Sequence, residues 1–411
     1  MLMTMKRIRI LVTLHYLLPL IGGAQLHTYW LMQELGQQHD VMILAREDDP
    51  SRDEYDERNL TLGRVRVKLV NITKAPSWAY YKDADVERLF IRVVKEFVPD
   101  VIFLAHTVGL SASIINVATS LGIPTVVQLR DFFYMCHRLH LFKTDLSLCS
   151  GPHGGSKCDS CMASDFWSDT PDGTESVGVV RVKYMQEALD KASIVFGHSD
   201  FVVEKFAEFG VSRSKLRVVQ GGIDVRYVQN VRFDRRDRVV RFGYFGGVLP
   251  YKGVETIVCA FVHLPDSSAE LHINGVSSGP FESRLRSLSQ GKKVQFYGPY
   301  SNERLGDVLS NIDIFVHAST IHEHYPLTIR EAFAAKIPVI VSNLRAQCDA
   351  VRDGIDGLHF KAGYVDDLQE KMEQVLVDRG LLNTFRKNIL PVRTIDEEAR
   401  EIEEMLSDLV R

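Results

Sequence analysis

Short apolar runs alternate with amphipathic stretches along most of this chain. In the first half, Ile8–Leu14 reads as a strand, Ala24–Gly36 as a helix and Val41–Ala45 as a second strand. Val86, Leu89, Phe90, Val93, Val94, Phe97 and Val98 recur at the helical period and mark one buried face. The runs Val101–Ala105 and Thr125–Leu129 read as strands on either side of a helix near Ser111–Leu121. A helix near Val180–Asp190, the strand Ser193–Gly197, the helix Asp200–Phe209 and the run Leu216–Val219 continue the series. Alternation of this kind predicts a parallel sheet covered by helices, with ligands at the carboxyl ends of the strands.

The pattern then starts again. Val240–Phe245, Glu270–Ile273, Val294–Tyr297, Ile312–Val316 and Pro338–Val341 read as strands, and Leu327–Lys336, Asp366–Val377 and Glu397–Leu409 as helices. Two stretches lack periodicity. Residues 163–178 are polar and rich in Ser, Asp and Gly, which reads as a loop. Arg232–Arg241 is dense in arginine, interrupted by Asp234 and Asp237, and reads as a solvated linker. The expectation is an α/β protein of two Rossmann-like domains facing a central cleft. The first is 1–225, with an insertion at about 132–178; a linker 226–238 leads to the second, 239–390. A final helix, 391–411, packs back on the first domain.

Composition changes this picture little. A chain of 411 residues is long for one core, and 45% apolar with 25% charged residues is ordinary for a globular protein. The net charge of −4 gives no sign of a nucleic-acid partner. Lys6, Arg7 and Arg9 before the apolar run Ile10–Ile21 imitate a secretory leader. His15 and Pro19 interrupt that run, and a first strand with a glycine turn is the preferred reading. No apolar run is long enough for a membrane span, so a cytoplasmic protein is expected.

Candidate chemistry sits at the predicted strand ends. Glu323 lies in a loop and Glu331 about a turn into the helix after Pro326, a residue suited to a first helical turn. Paired carboxylates beside a helix N-terminus suit vicinal hydroxyls next to a phosphate. Gly22 and Gly23 follow the first strand, and adjacent glycines let backbone N–H groups approach an anion. His106 ends the strand Val101–Ala105; Arg130 and Asp131 end the next. In the loop Gly246–Gly253, Lys252 can neutralise a diphosphate as a point charge. The loop is not G-x-G-x-x-G, which argues against NAD. Cys136, Cys149, Cys158 and Cys161 cluster in the insertion, with Cys158 and Cys161 forming a C-x2-C. Without an export signal they suggest a structural zinc site more than disulfides, with an iron–sulfur cluster and plain reduced thiols as alternatives.

These stretches resemble the retaining glycosyltransferases of the GT-B fold, family 4. The family pattern S-x3-E-x2-G-x4-E-A-x-A-x-G-x-P-V-x-x-S is met at Ser319, Glu323, Glu331, Ala332, Ala334, Pro338, Val339 and Ser342. Pro326 and Lys336 stand where the family has glycine. Pro19–Gln25 resembles the family's N-terminal glycine loop, with Gln25 where glutamate is common. Gly246–Gly253 resembles its G-R/G-x4-K-G element, with Gly247 where arginine is frequent. Relatives often have His-Asp at the positions of Arg130-Asp131, and some carry a similar cysteine-bearing insertion.

The resemblance implies GT-B architecture and transfer of a sugar, with retention, from a nucleotide-diphosphate sugar to a carbohydrate, lipid-linked or small-molecule acceptor. It places Glu331 on the ribose, Glu323 on the sugar and Lys252 on the diphosphate. Gly22, Gly23, Gly246, Gly247, Asn274, Gly298 and Tyr300 line the donor, and Gln25, His106 and Asp131 face the acceptor. Glu323, His106 and Lys252 are the expected catalytic set. No cofactor is needed for catalysis, and peripheral contact with the inner membrane face is expected. Two rivals stand beside this: a nucleotide-sugar epimerase of the same fold, and a non-catalytic sugar-nucleotide binder.

Overall fold

The computed structural model describes residues 7–17, 22–73, 81–163, 176–229, 231, 239–265 and 268–411. Pro19–Ile21 of the glycine loop, most of the polar loop 163–178 and the arginine-rich 232–238 lie outside the described residues.

The chain divides into two compact units, residues 1–222 with 395–411, and residues 223–394. The first contains β1 (Arg9–Tyr16), β2 (Asp40–Glu47), β3 (Glu57–Leu62), β4 (Val65–Asn71), β5 (Val101–Leu104), β6 (Thr125–Leu129), β7 (Ile194–Gly197) and β8 (Leu216–Val218). They form one sheet in the order β3-β4-β2-β1-β5-β6-β7-β8. All neighbours are parallel except β3 and β4, a hairpin closed at Gly63. Sequence reading did not find this hairpin. β3 carries exposed polar side chains at the sheet edge, so it has no apolar run to betray it.

β5 and β6 are buried at every position, as expected of central strands covered on both faces. The helix Asp200–Phe209 lies where its end signals place it. Ser199 caps it by accepting from Val202 N–H, and Gly210 ends it at φ 109°. The helix Ala84–Phe97 is capped by Asp83 and buries Val86, Leu89, Phe90, Val93, Val94 and Phe97. Val98, expected on that buried face, is instead its left-handed end at φ 48° and 62% exposed. One residue past Phe97 the helical period no longer applies. The last helix, Ile395–Val410, packs on the helix Gly23–Leu35 within the first unit.

The second unit contains β9 (Val240–Phe245), β10 (Ala269–Asn274), β11 (Val294–Gly298), β12 (Ile314–His317), β13 (Val339–Ser342) and β14 (Gly357–Phe360). All are parallel, in the order β11-β10-β9-β12-β13-β14. Among the described residues, no helix is long and apolar enough to cross a membrane.

Candidate donor and acceptor sites

In the second unit the strand ends are laced together by close backbone approaches. Gly246 N–H donates to the Asn274 carbonyl at 3.1 Å, and Gly275 N–H to the Gly298 carbonyl at 2.8 Å. Gly246, Gly275 and Gly298 all have positive φ, and a side chain at Gly275 would run into the Gly246 carbonyl. The buried Tyr244 hydroxyl donates to the Gly247 carbonyl at 2.6 Å and so fixes the loop after β9.

Lys252 closes the short 3-10 turn Pro250–Lys252. Gly253 follows at φ 70°, where a Cβ would strike the Ala318 carbonyl. That approach sets the turn against the end of β12. Thr320 N–H and its hydroxyl both donate to the Tyr251 carbonyl, at 2.9 and 3.1 Å. Across this junction Lys252 Nζ meets Glu323 Oε1 at 2.6 Å, with both side chains mostly shielded. His317, the last residue of β12, is buried with Nε2 3.9 Å from the same oxygen. Burial pulls its imidazole down to about 4; Glu323 opposes this and Lys252 adds to it.

Pro326 stands at the N-cap of the helix Leu327–Ala334, just outside the expected first turn. Glu331 lies in that helix and is buried; desolvation pushes its carboxyl up to about 7. Tyr300, just beyond β11, feels this carboxyl: burial and then Glu331 raise its hydroxyl. Asn274 is buried at the end of β10. Thus Lys252, Glu323, Glu331, Asn274, Gly298 and Tyr300 all stand at or just beyond carboxyl ends of this sheet, with Gly246 and Gly247 at the end of β9. Lys336, where the resemblance implies glycine, does adopt φ 57°, and its Nζ donates to the Ile389 carbonyl at 2.8 Å.

In the first unit Gly22 is the N-cap of the helix Gly23–Leu35, with extended backbone. A Cβ there would come within 2.6 Å of Gln25 Oε1, the end of a flexible side chain folded over Gly22, which would have to swing aside. His106 and Asp131, from the ends of β5 and β6, meet at 2.6 Å between Nε2 and Oδ2. Asp131 Oδ1 accepts from Phe133 N–H at 2.8 Å, which fixes the carboxylate. His15 stacks parallel to His106 at 5.5 Å. Burial, then His106 and Arg46, bring His15 down to about 3, so it is neutral.

Arg130 turns away from Asp131 into the interior, which the sequence did not reveal. Its Nη1 donates to His27 Nδ1 at 2.8 Å, and its Nη2 to Thr28 Oγ1 at 2.7 Å. His27 Nε2 lies 2.8 Å from Glu398 Oε2, which also accepts from Gly222 N–H at 2.6 Å. Burial lowers His27 and His198, so the buried charges are Arg130 and Glu398, joined through a neutral imidazole. His27, His198 and Glu398 offer ligand atoms within 4.8 Å of one another. They do not suit a cation. Arg130 takes the His27 Nδ1 lone pair, and His198 engages the Val219 carbonyl at 2.8 Å and Gln128 at 2.9 Å. A positive guanidinium stands among them. These residues come from four separate stretches of the chain, so no spacing signals the group.

None of the six cysteines forms a disulfide. Cys136, Cys149 and Cys158 act on one another electrostatically, although among the described residues no three of the four cysteines Cys136, Cys149, Cys158 and Cys161 bring their sulfurs within 4.8 Å of one another. Burial raises the Cys136 and Cys158 thiols, the latter to about 11.

Two parallel-sheet units with polar groups at their strand ends define a GT-B architecture. The profile of "Glycosyl transferase 4-like domain" matches residues 22–222, and that of "Glycosyl transferases group 1" matches residues 232–390. One match falls in each unit, so the chain carries a glycosyl transferase 4-like domain followed by a glycosyl transferases group 1 domain. It resembles the N,N'-diacetylbacillosaminyl-diphospho-undecaprenol alpha-1,3-N-acetylgalactosaminyltransferase of Campylobacter jejuni, 28% identical over 227 residues. That alignment covers 50% of this chain and 58% of the relative. An uncharacterized glycosyltransferase of Methanocaldococcus jannaschii is 22% identical over 95% of each chain. Among solved structures, Anabaena HepE in complex with UDP and glucose superposes with a TM-score of 0.71 at 15% identity, covering 98% of this chain and 100% of that one.

Proposed function

We propose that this protein transfers a sugar from a nucleotide-diphosphate sugar to a carbohydrate, lipid-linked or small-molecule acceptor, with retention at the anomeric carbon. The observation that carries the reading is the meeting of Lys252 and Glu323 at 2.6 Å at the ends of neighbouring strands, with the buried Glu331 one helix away. Lys252 is the group to neutralise the diphosphate, and the N–H groups of the Gly246-Gly247 loop add donors there. Glu323 accepts from hydroxyls of the sugar and Glu331 from those of the ribose. With Glu323 and Glu331 both given to substrate hydroxyls, the leaving phosphate oxygen takes the acceptor proton during front-face attack. In the first unit, the Gly22-Gly23 turn and the His106–Asp131 pair serve the acceptor. The likeness to HepE with UDP makes uridine the first base to try.

The test is a thermal-shift panel of nucleoside diphosphates and their sugars on the wild type, Lys252→Ala and Glu331→Ala. A ligand at 100 times its Kd stabilises by about 2.7 kcal/mol, enough for a visible shift. The shift is expected with one nucleotide and to shrink in both variants. Variants that respond like the wild type would overturn the site. Turnover of donor only when an acceptor is added supports transfer. Donor isomerised without acceptor identifies an epimerase, and binding without any turnover a sugar-nucleotide binder. Proton NMR of the product's anomeric centre decides retention.

A further inference from the structure

The inference concerns His317 and rests on the donor reading above. Lys252 cannot serve two anions equally. It now lies 2.6 Å from Glu323 Oε1, and a diphosphate arriving at the Gly246–Gly253 loop competes for the same ammonium. If Lys252 moves to the phosphates, Glu323 loses a charged partner in a shielded place, which is costly unless another donor replaces it.

One group stands ready. His317 Nε2 is 3.9 Å from Glu323 Oε1, close enough to form a hydrogen bond with a small side-chain shift. The imidazole is 6% exposed, and its Nδ1 is buried with no hydrogen-bond partner. The ring is set by the backbone of β12 and lies edge-on to Phe315. The charged groups that act on it are Glu323 from the following loop and Lys252 from the turn after β9. Tyr244 of β9 and Tyr251 of that turn also feel Glu323, and both are held in the neutral hydroxyl form by burial. Burial disfavours this imidazole as a cation and Lys252 adds to that, while Glu323 favours the charged form, so the departure of Lys252 removes one of the two opposing influences.

We propose that His317 is a positioning residue that takes over Glu323 when the donor diphosphate draws Lys252 away, and that it binds a proton from solvent as it does so. The imidazole Nε2–H then donates to Glu323 Oε1, and the added proton sits on the second ring nitrogen. No other bond changes. The carboxylate is thereby kept in place for the sugar, with its charge compensated throughout.

The experiment is isothermal titration of UDP, with GDP and ADP in parallel, in buffers of different ionisation enthalpy at one pH. The slope of observed heat against buffer enthalpy counts protons bound. Wild type is compared with His317→Gln, which keeps an N–H donor but cannot be protonated, and with His317→Leu, which keeps neither. Wild type is expected to take up at least about 0.3 proton more per nucleotide than His317→Gln, with an affinity that falls with rising pH by up to about tenfold per unit for a full proton. His317→Leu is expected to bind about tenfold more weakly, and His317→Gln to recover most of that. In Lys252→Ala the uptake should vanish, since Glu323 and His317 are then already paired. Circular dichroism melts confirm that the variants fold. Nucleotide binding with equal proton uptake in wild type and His317→Gln overturns this inference and leaves the donor site standing. Absence of binding by any of the three nucleotides overturns both.

Discussion

Glu331→Gln should make the protein more stable and less able to hold a nucleotide. The buried carboxyl is pushed up to about 7, from an ordinary 4.5, by desolvation. Below pH 4.5 it is protonated whether the chain is folded or unfolded, and costs nothing. Between 4.5 and 7 the folded protein holds a proton that the unfolded chain releases, so stability falls as pH rises. Above 7 the penalty is complete, and a difference of that size corresponds to roughly 3 kcal/mol. Glutamine keeps the shape and removes the charge. The variant is therefore expected to match the wild type near pH 4.5 and to gain progressively up to pH 8. At roughly 2–4 °C per kcal/mol for a domain of this size, the gap at pH 8 is on the order of 5–10 °C. The assay is a pair of melting curves at half-unit steps from pH 4.5 to 8.5. In the same series, a nucleoside diphosphate should bind the variant about ten- to a hundredfold more weakly, because one hydroxyl partner of the carboxylate is lost. Parallel melting curves across the whole range would refute the argument, since burial would then not be acting on this group.

Three further outcomes follow from other contacts. Glu398→Ala removes the larger of the two carboxylate influences on Arg130 and leaves His27 and the Gly222 N–H without their acceptor, and a loss of about 3–5 kcal/mol is expected in chemical denaturation; the double variant Arg130→Met, Glu398→Leu should recover most of it. Gly253→Ala forces a side chain into the Ala318 carbonyl at positive φ, so both the melting temperature and nucleotide affinity should drop, while Gly247→Ala, which meets only Leu249, should leave the melting temperature within a degree or two. His106→Ala should leave nucleotide binding unchanged and reduce transfer at least about a hundredfold, read as product formed per enzyme at saturating donor.

Much of the architecture was legible because its signals are local. Ser199 and Gly210 bracket the helix Asp200–Phe209, and the run at β5 is apolar throughout. The pairing of Lys252 with Glu323 was legible as two strand-end residues, but not as a contact. Where the signal is not local, reading failed. The β3–β4 hairpin is an edge with mixed polarity, and Val98 continues a heptad-like series past the point where the backbone reverses. Arg130 looked like a departure at an acceptor-facing position. The structure turns it inward to meet His27, 103 residues away, and no spacing in the chain announces that meeting. The cysteine cluster is near in sequence, and the Cys136, Cys149 and Cys158 thiols also act on one another in the fold.

The discontinuity of the first unit has a consequence for biosynthesis. Its buried cation Arg130 and the N–H of Gly222 are satisfied, through His27 and directly, by Glu398, which the ribosome adds only after the whole second unit. Residues 223–394 are contiguous and can complete their core as they emerge. Until the last helix is made, Arg130 has Asp131 but not Glu398 to oppose its charge. A chain stopped before Glu398 would leave His27 and the Gly222 N–H without the carboxylate that closes this part of the first unit.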